Sequence, residues 1–188
     1  MNFFRKIIIL SYPFMMKVLK ITGIGMRSFK NEKNILPAES FYSLKAVLNN
    51  GEQISFDRFK NKKILIVNLA SQCAFTPQYS QLQKLYESGK NLVILGFPSN
   101  DFKKQEPGTD EEIENFCTKK YGVTFPLFQK NHVRGKLKQP VYLWLTNKNK
   151  NGWNDKEPEW NFYKYLIDEE GKLSQIFSSA VSPLDIKT

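Results

Sequence analysis

Residues 64–80 read ILIVNLASQCAFTPQYS, and this stretch decides the fold. Residues 64–70 form a near-continuous apolar run, which is typical of a strand buried on both faces of a sheet. After Pro77 the apolar residues recur at helical spacing, so the pattern predicts a helix with Thr76 as its N-cap and Pro77 in its first turn. Cys73 therefore lies between the end of a buried strand and the start of a helix.

The position of Cys73 favours a reactive thiol. A thiol close to the start of a helix meets the positive end of the helix dipole and unpaired backbone N–H groups, and both favour the thiolate, which is the nucleophilic form. The alternative is a structural cysteine, because free cysteine is among the most often buried side chains. Position and spacing alone leave both interpretations open.

The composition predicts a globular domain with a basic extension. Apolar residues make up 41% and aromatic residues 14% of the 188 residues, which is enough to build a core. The formal charge is +10, of which residues 1–33 carry +6, leaving +4 for residues 34–188. We therefore divide the chain into a basic, partly apolar N-terminal arm (residues 1–33) and a domain (residues 34–188). We expect no nucleic-acid partner. The basic arm nevertheless leaves one alternative open, a non-catalytic module that binds a membrane or a nucleic acid.

Two cysteines and one histidine exclude several kinds of site. They are too few for a disulfide-stapled scaffold or a structural zinc site, so we expect no metal and no bound cofactor. A Cys–His hydrolase would have to use His132 as its base. The residues around His132 indicate a surface loop instead.

Residues 1–26 mix apolar patches with basic residues. The uninterrupted apolar piece is too short to span a bilayer, and no small-residue cleavage site follows it cleanly. Phe14, Val18 and Ile21 share a helical face beside lysines, which is typical of a basic amphipathic helix on an anionic membrane surface. A disordered or signal-like segment is the alternative. The polar residues 27–38 are interpreted as a linker.

The rest of the chain predicts a mixed sheet with helices on both faces, which is compatible with a thioredoxin-like α/β domain. The expected elements are a β-hairpin over residues 40–56, a buried strand over 91–97 parallel to the first, a helix capped by Thr109 and ended by Gly122, a helix over 140–145, and a hairpin of strands over 160–167 and 173–177. In open α/β sheets the functional crevice lies beyond the carboxyl ends of the strands. We therefore expect Cys73 and the polar loop at residues 99–109 to be neighbours.

Four segments together resemble the glutathione peroxidase family. They are NLASQC (68–73), GFPSNDFKKQEPGT (96–109), EEIENFCTKKYGVTFPLF (111–128) and WNFYKYLID (160–168). Their order and spacing match the family, and the resemblance covers residues 38–185. It implies a thioredoxin-like fold and the reduction of hydroperoxides by a thiol, with a thiol reductant as the co-substrate.

The resemblance also implies roles for single residues. The family's catalytic tetrad falls on Cys73, Gln105, Trp160 and Asn161, whose side-chain N–H groups would favour the thiolate and hold the peroxide oxygens. Cys117 matches the resolving cysteine of the thioredoxin-dependent members, which implies a Cys73–Cys117 disulfide reduced by thioredoxin. The alternative is a one-cysteine, glutathione-dependent peroxidase in which Cys117 is a buried helix residue.

The sequence departs from the family beside the expected site. Many members have Cys, Gln, Gly and Gly where this chain has Ser99, Asp101, Lys103 and Lys104. The two lysines add positive charge that favours a thiolate or attracts an acidic partner. The loop before Trp160 lacks the long insertion of tetrameric members, so we expect a monomer.

The sequence therefore predicts a thiol peroxidase acting on hydrogen peroxide and organic hydroperoxides. A redox relay that passes oxidation to a client protein would use the same cysteines and is the alternative. A thioredoxin-reduced pair favours the cytoplasm. Membrane association through the arm, and a periplasmic location, stay open.

Overall fold

The computed structural model describes residue 7, residues 9–89 and residues 91–187. Its helices are α1 (Tyr12–Thr22), α2 (Gln78–Glu87), α3 (Asp110–Tyr121), α4 (Pro140–Leu145) and α5 (Lys148–Asn151). Its strands are β1 (Ser28–Lys30), β2 (Lys45–Val47), β3 (Gln53–Ser55), β4 (Lys63–Leu69), β5 (Leu92–Pro98), β6 (Lys164–Ile167) and β7 (Leu173–Phe177). Arg5 and Lys6 of the predicted basic arm lie outside the described residues.

A five-stranded mixed sheet organises the domain, with strand order β1-β7-β6-β4-β5. Strand β4 pairs in parallel with β5 and antiparallel with β6, and β7 pairs antiparallel with both β6 and β1. Strands β2 and β3 form a separate antiparallel hairpin, whose arms are shorter than expected because residues 41–43 form a 3₁₀ turn. The predicted mixed sheet and N-terminal hairpin are confirmed.

Strand β4 is buried on both faces, as its apolar run predicts. Ile64 and Ile66 point into a core that includes α4 and the hairpin, whereas Leu65 and Val67 point into a second core that includes α2 and α3. Side chains alternate across a strand, so one continuous apolar run supplies both cores. Cys73 follows this strand and lies in the second core.

The segment interpreted as a linker supplies an edge strand. Ser28, Phe29 and Lys30 form β1 and pair with β7, so the interpretation of residues 27–38 as a linker is wrong there. Only Phe29 of these three side chains is half-buried. An edge strand this short and polar carries no alternating apolar pattern that a sequence could reveal.

Helix α1 of the arm contacts the domain through a narrow face. Tyr12 and Met16 are buried, the Tyr12 hydroxyl donates a hydrogen bond to Gln81 at 3.1 Å, and Lys20 pairs with Asp185 at 2.9 Å. Phe14, Val18 and Ile21 of the helix remain exposed, whereas Met15 and Leu19 are half-buried. The helix therefore keeps an apolar surface facing solvent.

Two predicted element boundaries are wrong at the places where the chain turns toward the site. Helix α2 begins at Gln78, with Pro77 as its N-cap, so Thr76 does not cap it. Strand β6 begins at Lys164 and not at Trp160. The predicted start of α3 is confirmed, because Thr109 forms a reciprocal capping box with Glu112.

Candidate active site

The turn after β4 curls around the sulfur of Cys73. The Cys73 backbone N–H donates to the Thr76 hydroxyl at 3.0 Å, and that hydroxyl donates to the Ala70 carbonyl at 2.9 Å. The Phe75 N–H donates to Sγ of Cys73 at 3.4 Å. Thr76 therefore closes the turn that aims a backbone donor at the sulfur, which is the role it has instead of capping α2.

The polar loop over residues 99–109 lies against this turn. The Gln72 backbone N–H donates to the Gln105 carbonyl at 3.1 Å, and the Ser71 hydroxyl donates to the Glu106 carboxyl at 2.7 Å. The expectation that this loop and the Cys73 turn are neighbours is confirmed. Gln105 is thereby held beside the turn by main-chain contacts.

Asn68 holds the segment that carries Trp160 and Asn161. Its side-chain amide donates to the Trp160 carbonyl and its side-chain oxygen accepts from the Tyr163 N–H, each at 3.0 Å. Its own carbonyl accepts from the Phe162 N–H at 2.7 Å. Phe162 has φ +64°, a left-handed conformation that costs a non-glycine residue about 1 kcal/mol or more. The Asn68 bonds hold the segment in this bent path, which is why β6 starts later than its aromatic sequence predicts.

The structure brings the four residues predicted for the site together. The Asn161 amide nitrogen donates to the Gln105 side-chain oxygen at 2.9 Å, and Asn161 is fully buried. Hydrogen bonding to the Trp160 and Asn161 side chains acts on the Cys73 sulfur and lowers the thiol pKa, although burial has the larger and opposite effect on that pKa. Donors from two segments, the turn after β4 and the segment that carries Trp160 and Asn161, thus act on the sulfur, and Gln105 contacts it through Asn161.

Burial nevertheless dominates the ionisation of Cys73. Removal from water raises the thiol pKa above its ordinary value, and the Phe75, Trp160, Asn161 and Ala74 donors offset this only in part. Helix α2 begins beyond the turn and the thiol is fully buried, so the effect of the helix dipole on the thiolate stays a prediction.

Cys117 is a buried thiol on α3 in the same core as Cys73. Burial raises its pKa to about 12, against an opposing hydrogen-bond contribution from the Tyr79 hydroxyl. Tyr79 stacks on Tyr121 at 5.3 Å and packs edge-on against Phe162 at 5.4 Å between ring centroids. Both cysteines are free thiols in this structure.

Three buried polar residues beside the site were missed by the sequence analysis, namely Asn68, Glu106 and Lys164. Burial raises the pKa of the Glu106 carboxyl to about 7, even with Ser71 hydrogen-bonded to it. The Lys164 ammonium is fully buried and donates to the Phe162 and Val181 carbonyls at 2.8 and 2.7 Å, and burial lowers its pKa. A polar residue inside an apolar run, as in Asn68 within ILIVNLA, is the signal that could have found the first of them.

The family departures at residues 101–104 have visible structural consequences. The Asp101 carboxylate contacts the exposed His132 ring at 2.6 Å and accepts from the Val133 N–H at 2.7 Å, so His132 is a surface loop residue as predicted. Lys103 and Lys104 have φ +49° and +52°, which is the left-handed region that glycine adopts without strain. The Lys103 ammonium lies 5.7 Å from the Trp160 ring centroid, so its charge does face the site.

The described residues contain no cluster of three or more His, Cys, Asp or Glu side chains that could hold a metal ion. Over the same part of the chain, no helix is long and apolar enough to cross a bilayer.

Comparison with known proteins identifies the family. The family profile described as glutathione peroxidase matches residues 41–146. Glutathione peroxidase-like peroxiredoxin 2 of Saccharomyces cerevisiae is 48% identical over 146 residues, covering 77% of this chain and 90% of that protein. The glutathione peroxidase homolog BsaA of Staphylococcus epidermidis is 46% identical over 152 residues, covering 80% of this chain and 96% of that one. A solved structure described as Trgpx in apo form is 33% identical with a TM-score of 0.61, covering 78% of this chain and 89% of its own.

The fold is therefore thioredoxin-like, and a thiol held beyond its central strands defines the class as thiol-dependent oxidoreductases. Within that class the chain belongs to the glutathione peroxidase family, and it is a peroxidase.

Proposed function

We propose that Cys73 is the residue that attacks the peroxide, with Gln105, Trp160 and Asn161 as the donors around it. The observation that carries this proposal is that backbone donors of the turn and the Trp160 and Asn161 side chains act on one sulfur, with the Asn161 amide also bonded to Gln105 at 2.9 Å. Donors that surround a sulfur stabilise its thiolate and also bind the oxygen atoms of a peroxide. No other described thiol has such surroundings, since Cys117 lies among aromatic rings.

The first chemical step joins sulfur to oxygen. The Cys73 thiolate attacks the terminal oxygen of the hydroperoxide, an S–O bond forms, and the O–O bond breaks. The leaving oxygen takes up a proton and departs as water or as an alcohol. The sulfur is thereby oxidised to a sulfenic acid while the peroxide is reduced.

The second step makes Cys117 the resolving residue. The Cys117 sulfur loses its proton and attacks the sulfenic acid, so that an S–S bond forms, the S–O bond breaks and hydroxide leaves as water. Both thiols are buried and not bonded to each other, and Cys117 lies within α3, so we expect α3 to unwind locally to bring Cys117 within disulfide geometry. A cavity of about 340 Å³ between the Cys73 turn and α3, lined by Gln72 and Phe116 among others, gives this movement room.

We propose thioredoxin as the reductant. An external dithiol would attack the Cys73–Cys117 disulfide, be oxidised to a disulfide itself and restore both thiols. The word peroxiredoxin in the names of relatives that are 48% and 45% identical supports this choice over glutathione. Because thioredoxin keeps such pairs reduced, we place the enzyme on the reducing side of the membrane.

Intact mass with thiol counting tests the cycle. Reduced protein receives one equivalent of hydrogen peroxide and is quenched, and both thiols are expected to disappear with a loss of two hydrogens. Cys117→Ser is expected to gain oxygen at Cys73 instead, and Cys73→Ser to react with peroxide no faster than a free thiol. A free Cys117 in oxidised wild-type protein would contradict the two-cysteine cycle and favour glutathione.

Steady-state turnover with thioredoxin and its reductase separates the enzyme from a redox relay. We expect sustained turnover with thioredoxin and much slower turnover with glutathione. Rapid disulfide formation combined with negligible turnover would contradict the proposal and favour the relay.

We further propose that the arm (residues 1–33) attaches the protein to a membrane surface and is separate from the catalytic domain. We also propose that the protein is a monomer. Leu10, Phe14 and Ile21 are exposed on or beside α1, next to the exposed Lys17. Exposed apolar groups beside cations are the features of an interfacial helix. Co-sedimentation with anionic vesicles tests the membrane contact, and a native mass measurement tests the monomer. Equal binding to neutral and anionic vesicles would show that the lysines do not contribute to membrane binding.

A further inference from the structure

A side chain of α2 holds the C-terminal end of α3, the helix that carries Cys117. Gln83 is a buried residue of α2, and Thr124 is the second residue after the Gly122 cap of α3. The Gln83 amide nitrogen donates to the Thr124 hydroxyl at 2.8 Å, and the Thr124 N–H donates to the Gln83 side-chain oxygen at 2.9 Å. Gln83 and Thr124 therefore form a latch of two reciprocal hydrogen bonds between α2 and the exit of α3.

The latch adjoins the main-chain bonds that close the turn carrying Cys117. The Val123 N–H donates to the Cys117 carbonyl at 3.2 Å, and Thr124 follows Val123 directly. The Gly122 N–H donates to the Thr118 carbonyl at 2.9 Å. Unwinding of α3 at Cys117 breaks these two bonds and releases residues 122 and 123, which the latch otherwise holds against α2.

The side chain of Gln83 is fixed in one orientation. Its amide nitrogen also donates to the Glu87 carboxylate of the same helix at 2.8 Å, so both amide hydrogens and the oxygen have partners. Only 5% of the residue is exposed, so water competes little for these bonds. A buried amide with this full set of partners stabilises the one arrangement in which the partners meet.

We propose that Gln83 is a positioning residue for the resolving step, because it holds α3 wound and so sets how long the sulfenic acid of Cys73 waits for Cys117. The inference rests on the proposed function, since it names a residue that controls the second step of that cycle. A segment opens more often when contacts present only in its closed state are removed. Loss of the latch should therefore speed disulfide formation and leave the attack on the peroxide unchanged.

A single-turnover experiment on Gln83→Met provides the first test. Reduced protein receives one equivalent of hydrogen peroxide and is quenched at increasing times with a sulfenic-acid trap and a thiol-alkylating reagent, and intact mass identifies each species. Methionine is similar in size but forms neither bond of the latch. Because one net hydrogen bond changes an opening equilibrium about fivefold, conversion of sulfenic acid to disulfide should be about twentyfold faster. An unchanged or lower rate of this conversion would overturn the inference.

Variants of Thr124 separate the hydroxyl from the rest of the latch. Thr124→Val keeps the shape and the backbone N–H but loses the acceptor for Gln83, so conversion should be about fivefold faster. Thr124→Ser keeps the acceptor and should convert at the wild-type rate. Adding Thr124→Val to Gln83→Met should change nothing further, since the two side chains act through one contact. Effects that multiply in this double variant would overturn the latch.

Gln81→Met is the matched control on the same helix. The Gln81 oxygen accepts from the Tyr12 and Ser182 hydroxyls, each at 3.1 Å, so this variant also loses two hydrogen bonds, but to the arm and the C-terminal segment. Both rates are expected to stay at the wild-type values. An acceleration equal to that of Gln83→Met would overturn the inference, because it would show that overall stability controls the opening of α3.

Hydrogen exchange gives a readout that needs no peroxide. The Gly122 and Val123 amides of the reduced protein should exchange about twentyfold faster in Gln83→Met and at the wild-type rate in Gln81→Met. Unchanged exchange in Gln83→Met would overturn the latch even if the disulfide forms. A wild-type protein that forms no Cys73–Cys117 disulfide would instead contradict the proposed function, and faster exchange in Gln83→Met would then still support the latch.

Discussion

Replacing Asn68 by leucine is expected to damage the site through the segment that Asn68 holds. The substitution keeps the size of the side chain but removes its bonds to the Trp160 carbonyl and the Tyr163 N–H, both at 3.0 Å. Two backbone groups then lose their partners inside a buried region, at about 1–3 kcal/mol each, so the free energy of unfolding should fall by about 3 kcal/mol. Typical stabilities of about 5–15 kcal/mol leave the variant folded.

The same change should lower activity more than stability alone explains. Without the two bonds the strained backbone at Phe162 can relax, and this shifts Trp160 and Asn161 away from Cys73. A displacement of about 1 Å at a reacting centre lowers the rate by about a hundredfold, so kcat/KM for hydrogen peroxide is expected to fall by about that factor. Urea unfolding and stopped-flow peroxide consumption are the two assays.

Asn154→Leu is the matched control for this prediction. Asn154 is also buried and also donates to backbone carbonyls, those of Leu145 at 2.7 Å and Lys156 at 3.1 Å, but it serves the segment beside α4. It should lose comparable stability and keep kcat/KM in the folded fraction. The reasoning is refuted if Asn68→Leu retains wild-type kcat/KM, or if both variants lose activity equally.

Three further predictions concern backbone strain and ionisation. Lys104→Gly relieves a left-handed residue and should raise the free energy of unfolding in urea by about 1 kcal/mol; a decrease would show that the strain argument is wrong. Burial raises the pKa of Glu106 from 4.5 to about 7, so the stabilising contribution of this residue is complete below pH 4.5 and is lost as pH rises through 7. The free energy of unfolding should therefore fall by about 3 kcal/mol across that range. Urea unfolding at several pH values should show this fall in the wild-type protein and not in Glu106→Gln. The pKa of Cys73 can be measured in Cys117→Ser from the pH dependence of alkylation by iodoacetamide, and it should lie above its ordinary value. Adding Asn161→Ala should raise this pKa further, because the amide donor is lost. An unchanged pKa in the double variant would show that the amide does not act on the sulfur.

The elements that the sequence predicts correctly are those with local signals. The apolar run of β4 supplies both cores, and Thr109 followed by Glu112 marks the start of α3 through a capping box within four residues. The order of these elements then places Cys73 and Gln105 at the same edge of the sheet. Local patterns were therefore sufficient for the fold and for the position of the thiol.

The features that the sequence does not reveal depend on contacts between distant residues. Trp160 to Tyr163 have strand-like composition, yet their path is bent because Asn68, far away in sequence, bonds to both ends of the segment. Lys164 likewise has its ammonium buried among carbonyls of Phe162 and of Val181, which are supplied by a later loop. Hydrogen bonds to distant partners override local propensity in such places, and no single-sequence pattern encodes them.

The pKa of Cys73 is a second property that the sequence alone does not predict. Its sequence position correctly indicates donors around the sulfur, but the sign of the pKa shift depends on burial, which is a property of the assembled core. The donors are fixed by the turn and by Asn161, whereas the burial penalty disappears as soon as water or a peroxide reaches the sulfur.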